Sequence, residues 1–276
     1  MSRAEALIER LFAAEVAFLH ALARSAALTD AEALHDLRLS LRHLRGLLWP
    51  LREDAALADL DRAALALLRQ TSALRDTQVL STELSRLGLH AEAGARQAWV
   101  EEGCQALPAS AVVHDLLRAF DGAPPALRQA VRAGRLKGLK GRLRRHLRRQ
   151  WRSLCPLPIA SPEEQHVTRL RVKRLRYLQA SYPRLMPMAE PLKALLQGLQ
   201  SALGDAHDLD FWCRQVAGDP ALRPALAGWR EAKAQAVARA RILGGQLEQQ
   251  LGSSAGRVTP ARVPALRRVD AGDQAR

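Results

Sequence analysis

The sequence predicts an all-α protein of two four-helix bundles related by internal duplication, with a basic channel between them. Three observations carry that prediction. Ala, Leu, Arg, Glu and Gln dominate, and no stretch alternates β-branched with polar residues as a strand would. Gly and Pro punctuate the chain into eight helical segments. The segments also repeat: His35-Asp-Leu-Arg38-Leu-Ser-Leu-Arg42-His-Leu-Arg45 reads against His166-Val-Thr-Arg169-Leu-Arg-Val-Lys173-Arg-Leu-Arg176, 131 residues later. A second match sets Ser72-Ala-Leu-Arg75-Asp76 against Leu203-Gly-Asp-Ala-His207-Asp208.

The first helix spans about residues 2–25. Thr29 or Asp30 caps a second, about 31–48, which Pro50 ends. A long third covers about 54–87 and stops at Gly88. The fourth, about 91–120, is broken near Pro108. Pro124-Pro125 opens a fifth, which reaches about Leu154 before Pro156 and Pro158. Ser161-Pro162-Glu163-Glu164 is a start signal for the sixth, closed by Pro183 or Pro187. The seventh covers about 191–217 and the eighth about 220–250. Residues 2–121 and 124–250 thus form the two halves of one domain over residues 1–250. The Gly-, Pro-, Ser- and Arg-rich stretch 251–276 is expected to be disordered.

The charge is concentrated. Residues 132–184 hold sixteen Lys/Arg and only two acids, Glu163 and Glu164, which accounts for the whole net charge of +14 of the 276-residue chain. A block of this kind implies an anionic partner, where scattered charge would imply solubility alone. With aromatics at 4%, extended stacking on bases is disfavoured. No apolar run approaches the ~20 residues of a membrane span, and the first ten residues lack the apolar core of a secretory signal. Cys104, Cys155 and Cys213 lie far apart, without metal-ligand spacing, as suits a reducing compartment. The expectation is a soluble, cytoplasmic protein with no membrane association.

The repeated motif carries the chemistry. At 100° per residue, His35, Arg38, Arg42 and Arg45 share a stripe roughly 80° wide and, at 1.5 Å per residue, about 15 Å long. Leu34, Leu37, Leu41, Leu44 and Leu48 fill the adjoining arc and must face the core. His166, Arg169, Lys173 and Arg176 fall at the same four angles in the second copy. Like charges so spaced repel by a few tenths of a kcal/mol per pair, and neither stripe contains an acid; a polyanion lying along the helix would offset the repulsion. On the fifth helix, Lys137, Lys140, Arg144 and Arg148 flank an apolar face of Leu136, Leu139, Leu143, Leu147 and Trp151 and are candidates for the same channel. Arg75-Asp76 and His207-Asp208 sit at equivalent bends, where an acid beside a base can orient a neighbouring helix, and His207 is a further candidate contact. Guanidinium suits phosphate oxygens bidentately, and histidine adds pH sensitivity. Histidines touching phosphate would be raised on binding. Affinity would then be greatest below their free value of ~6.5 and fall as pH rises through the bound-state pKa.

Taken in order, His35…Arg38…Arg42…Arg45, Leu74-Arg75-Asp76…Val79, His166…Arg169…Lys173-Arg174-Leu175-Arg176-Tyr177 and Leu199-Gln200…Leu203-Gly204-Asp205…His207-Asp208-Leu209 resemble the CHAD family, over about residues 2–250. The resemblance implies two four-helix bundles facing across a basic channel, and binding of inorganic polyphosphate. Carried over position by position, it implies contacts from His35, Arg38, Arg42, Arg45, His166, Arg169, Lys173 and Arg176. It also implies a non-catalytic adaptor that places itself where polyphosphate accumulates, including polyphosphate granules, with no cofactor and no metal. The residues alone leave three rivals open: a sequence-independent nucleic-acid binder with the same electrostatic footprint, a metal-dependent phosphohydrolase using His35-Asp36, His114-Asp115 or His207-Asp208, and a purely structural partner of a granule or acidic protein that binds no free polyanion. Against catalysis, the chain has no GxSxG, GxxxxGK[ST] or HExxH motif.

Overall fold

Leu34, Leu37, Leu41, Leu44 and Leu48 recur at helical spacing, and in the computed structural model, which describes residues 3–254, each is at most 2% exposed. They line the inner face of α2 (Ala33–Leu48), which packs against α1 (Arg3–Ala26). The chain continues through α3 (Ala55–Gln70), α4 (Ser72–Arg86), α5 (His90–Ala106) and α6 (Ala111–Arg132). It then forms α7 (Leu139–Arg152), α8 (Pro162–Ser181), α9 (Glu190–Gln215) and α10 (Leu226–Ser254), with no strand among the described residues. Neighbours in sequence pack as antiparallel pairs, α4 with α5 and α9 with α10, while α3 lies along α6. The central contact joins distant parts of the chain: α2 packs on α8, which also packs on its neighbour in sequence, α9.

Several boundaries differ from those the sequence predicts, each for a local reason. The long third helix is two helices, α3 and α4, with a corner at Thr71. There the Leu68 carbonyl accepts from Arg38 Nη1 at 2.8 Å and from Ser72 Oγ at 2.9 Å, which draws it out of the helical ladder. Pro124-Pro125 does not open a helix; α6 runs through both prolines to Arg132. Val113, Leu116, Phe120, Ala123, Leu127 and Ala130 form an unbroken buried face along it. Burying each large side chain contributes ~1.5–3 kcal/mol, enough to outweigh the two missing amide bonds. The break falls instead at Gly134 and Gly138, both with φ of 71°. As predicted, Ser161 caps α8, accepting from the Glu164 amide while the Glu164 carboxylate accepts from the Ser161 amide. The last helix starts at Leu226 after a short 3-10 stretch, Pro220–Ala225, and continues to Ser254. Most of the stretch expected to be disordered, 255–276, lies outside the described residues.

The apolar core does not divide between the two predicted halves. The larger cluster draws on α1, α2, α3 and α6 together with α7, α8, α9 and α10. The smaller one joins Leu80, Leu84 and Ala93 to Leu209, Trp212, Leu222 and Trp229.

Candidate functional site

A glycine lets the two stripe-bearing helices meet. At Gly46 of α2, a Cβ would lie 3.0 Å from the Tyr177 carbonyl oxygen and 2.9 Å from Ser181 Oγ of α8. Beside that crossing the Tyr182 hydroxyl donates to the Leu47 carbonyl at 2.6 Å, and the rings of His43 and Tyr177 meet edge-on at 5.6 Å. The helices open away from the crossing into a cleft of about 870 Å³. Its walls come from α2 (His35, Arg38, Arg42, His43), α4 (Arg75, Asp76), α8 (Arg169, Lys173, Arg176, Tyr177) and α9 (Lys193, Gln200, His207, Asp208). Seven Lys/Arg and three acids line it.

These cations differ in how they are held. Arg38, 7% exposed, donates to the Leu68 carbonyl and to Thr71 Oγ1 at 2.7 Å, so it fastens the α3–α4 corner as well as facing the cleft. Arg75 donates to Gln78 Oε1, which in turn ties α4 to the Ala31 carbonyl, and Arg176 donates to Gln200 Oε1 at 2.8 Å. Arg42, Arg169 and Lys173 have no hydrogen-bond or ion-pair partner among the described residues, and Arg169 Nε is buried.

Crowding sets the protonation of the site. Burial, reinforced by Arg169 and Arg42, pushes the Lys173 ammonium down to about 7. Burial and the same cationic surroundings, Arg169 foremost, push His207 down to about 4, and His35 is lowered by burial, Arg75 and Arg42. Burial raises the carboxyls of Asp76 and Asp208 above the usual range, although neighbouring arginines pull the other way. The site is therefore a partly dehydrated row of donors whose charges are only partly balanced by Asp76, Asp208 and Glu190.

Of the residues singled out in the sequence, His35, Arg38, Arg42, Arg169, Lys173, Arg176 and His207 line the cleft. His166 does not line it; its exposed ring sits 6.0 Å from that of His207. Arg45 turns away to the buried Asp61, 3.0 Å distant, a carboxylate it shares with Arg52. Lys137, Lys140, Arg144 and Arg148 are not among the cleft residues: α7 packs on α8 and on the turn after α2 and contributes no side chain to the cleft lining. Sequence reasoning misses Lys193 and Gln197 and takes Gln200 as a family mark without making it a contact; their i, i+4, i+7 spacing places the three on one face of α9 leading to His207. Tyr177 is likewise a family mark only and His43 is not singled out, yet both line the cleft.

The family model of the CHAD domain matches residues 10–217. No curated protein matches the sequence. Among solved structures, the fold is similar to the crystal structure of the CHAD domain from the plant Ricinus communis, with a TM-score of 0.60 and 20% identity over 90% of each chain.

Proposed function

Because the chain belongs to the CHAD domain family, we propose that it binds inorganic polyphosphate in the cleft between α2 and α8. On this reading it is a non-catalytic adaptor that places itself where polyphosphate accumulates in the cytoplasm, granules included. The supporting observation is the trio Arg42, Arg169 and Lys173, which converge from two helices without an acceptor among the described residues. A flexible chain of phosphates supplies acceptors at close spacing and relieves the repulsion within the trio. A duplication supports the same reading. An offset of 131 would carry α2 into α8 and the α3–α4 pair onto α9, and would relate Arg38 and Arg42 to Arg169 and Lys173 on opposite walls of the cleft.

Binding of labelled long-chain polyphosphate, with single-stranded DNA as competitor, tests the proposal. Tight binding that DNA does not displace is the expected result; equal affinity for both polymers would assign the cleft to general polyanion binding instead.

The pH dependence follows from Lys173. Bound phosphates raise its pKa from about 7, so affinity is fully developed below pH 7 and lost as pH rises through the bound-state value. Between pH 7 and 9 it should fall by about tenfold, an effect of one linked proton. Lys173→Arg should flatten the profile, since guanidinium stays protonated throughout. Identical profiles for the two proteins would remove Lys173 from the site. The histidine window near pH 6.5 suggested by the sequence gives way to this one, because His35 and His207 titrate lower.

A further inference from the structure

We propose that the protein carries a second phosphate site, on α7 and the turn that follows α2, which takes a short phosphoanhydride group, a diphosphate or triphosphate. The two basic rows of α7 lie on opposite sides of its apolar face. At 100° per residue, Lys140, Arg144 and Arg148 fall to one side of Leu139, Leu143 and Leu147, and Arg142, Arg145, His146 and Arg149 to the other, while Lys137 lies in the turn before the helix. The second row opens onto a hollow of about 510 Å³, closed by Trp49, Pro50, Arg52 and Glu53, and none of its lining residues belongs to the cleft.

Two features make this hollow more than a solvated basic surface. The first is a set of orphaned nitrogens. Arg52 Nε, Arg142 Nε and His146 Nε2 are all buried without a hydrogen-bond partner, and all three residues line the hollow. Buried ring and guanidinium nitrogens are almost always paired, so three orphans beside one space leave hydrogen-bonding capacity that a small side-chain movement would offer to a ligand there. The second feature is rigidity. The Trp49 ring lies 4.8 Å from the Arg52 guanidinium and 5.3 Å from that of Arg174, with the His146 ring 5.5 Å away. Asp61 holds Arg52 at 2.8 Å and Glu53 holds Arg142 at 2.7 Å, which fixes both guanidiniums before any ligand arrives.

Charge and size narrow the ligand. Four guanidiniums face one lining carboxylate, Glu53. Asp61, shared with Arg45, already pairs with Arg52, and Glu53 pairs with Arg142. At least two positive charges, those of Arg145 and Arg149, stay unbalanced, and a diphosphate or triphosphate offers each a separate phosphate group. A base has no free aromatic face to stack on, since guanidiniums and the His146 ring already attend Trp49. The group could be a free oligophosphate or a stretch of a longer chain.

Calorimetric titration of the full chain with tripolyphosphate tests this. In a protein carrying Arg42→Ala, Arg169→Ala and Lys173→Ala, which weakens the cleft by about 1000-fold, one site should remain. Adding Arg145→Ala and Arg149→Ala should weaken it at least tenfold. In the cleft variant, tripolyphosphate should also shift the His146 ring signals in NMR spectra, assigned with His146→Gln; this readout does not depend on how the arginine variants fold. The site is overturned if the cleft variant binds no tripolyphosphate, if the α7 substitutions change nothing, or if the His146 signals stay still. Long-chain polyphosphate distinguishes the sources. Weaker binding by Arg145→Ala/Arg149→Ala alone identifies the occupant as part of a chain, and unchanged binding identifies a free oligophosphate. Long-chain binding that survives loss of the cleft cations would count against the cleft and leave the α7 site standing.

Discussion

Replacing Arg42, Arg169 and Lys173 together by alanine is expected to weaken long-chain polyphosphate binding by about 1000-fold. Each charged donor that loses its acceptor costs about 1.5 kcal/mol, close to one factor of ten. The slope of log affinity against log salt should become shallower by about 2, at ~0.7 released ion per phosphate contact. The fold should be kept, because the three side chains make no hydrogen bond among the described residues, and their mutual repulsion offsets their attraction for the carboxylates of Asp76 and Asp208. The variant should therefore unfold cooperatively, near the wild-type temperature. Arg38 is left out for the opposite reason: its bonds to Leu68 and Thr71 mean that its removal would disturb the α3–α4 corner as well as the cleft. An unchanged affinity, or a loss with no change in salt slope, would move the ligand elsewhere.

Gly46→Val is expected to be far more damaging to the fold than any substitution of a cleft cation. Even the first added carbon would meet the Tyr177 backbone carbonyl at 3.0 Å, and a backbone oxygen inside a helix cannot swing aside. Gly46→Ala should cost ~1–3 kcal/mol, the usual range for overpacking. Valine adds two methyl groups at the same contact, and its cost should exceed ~3 kcal/mol. The Tyr182 hydroxyl bond to the Leu47 carbonyl should be lost as α2 and α8 separate. Urea unfolding measures the first effect, and polyphosphate affinity, which depends on the spacing of the two stripes, measures the second. An alanine variant with wild-type stability would mean that the crossing has slack.

The sequence made some features legible because they are periodic and local. The leucine face of α2, the capping box at Ser161 and both basic stripes could be read from spacing alone. What could not be read depends on partners distant in the chain. The corner at Thr71 exists because Arg38, thirty-three positions earlier, reaches across to it. Arg45 leaves its stripe for Asp61, an acid whose burial no local pattern announces. The prolines in α6 carry a break signal that the packing against α3 overrides. The rows of α7 are basic on both sides of its apolar face, so only the docked helix shows which of them faces a hollow. The histidines were read at their ordinary pKa, whereas burial beside arginines lowers His35 and His207.

The crowding at Lys173 has a consequence beyond charge. An ammonium held near pKa 7 has shed its proton from about half of the molecules at neutral pH. The free amine carries a lone pair and is a nucleophile. An acylating reagent at pH 7 should therefore mark Lys173 ahead of the chain's other lysines, as peptide mass spectrometry can show. A polyanion seated in the cleft would return the proton, and the same residue would fall silent.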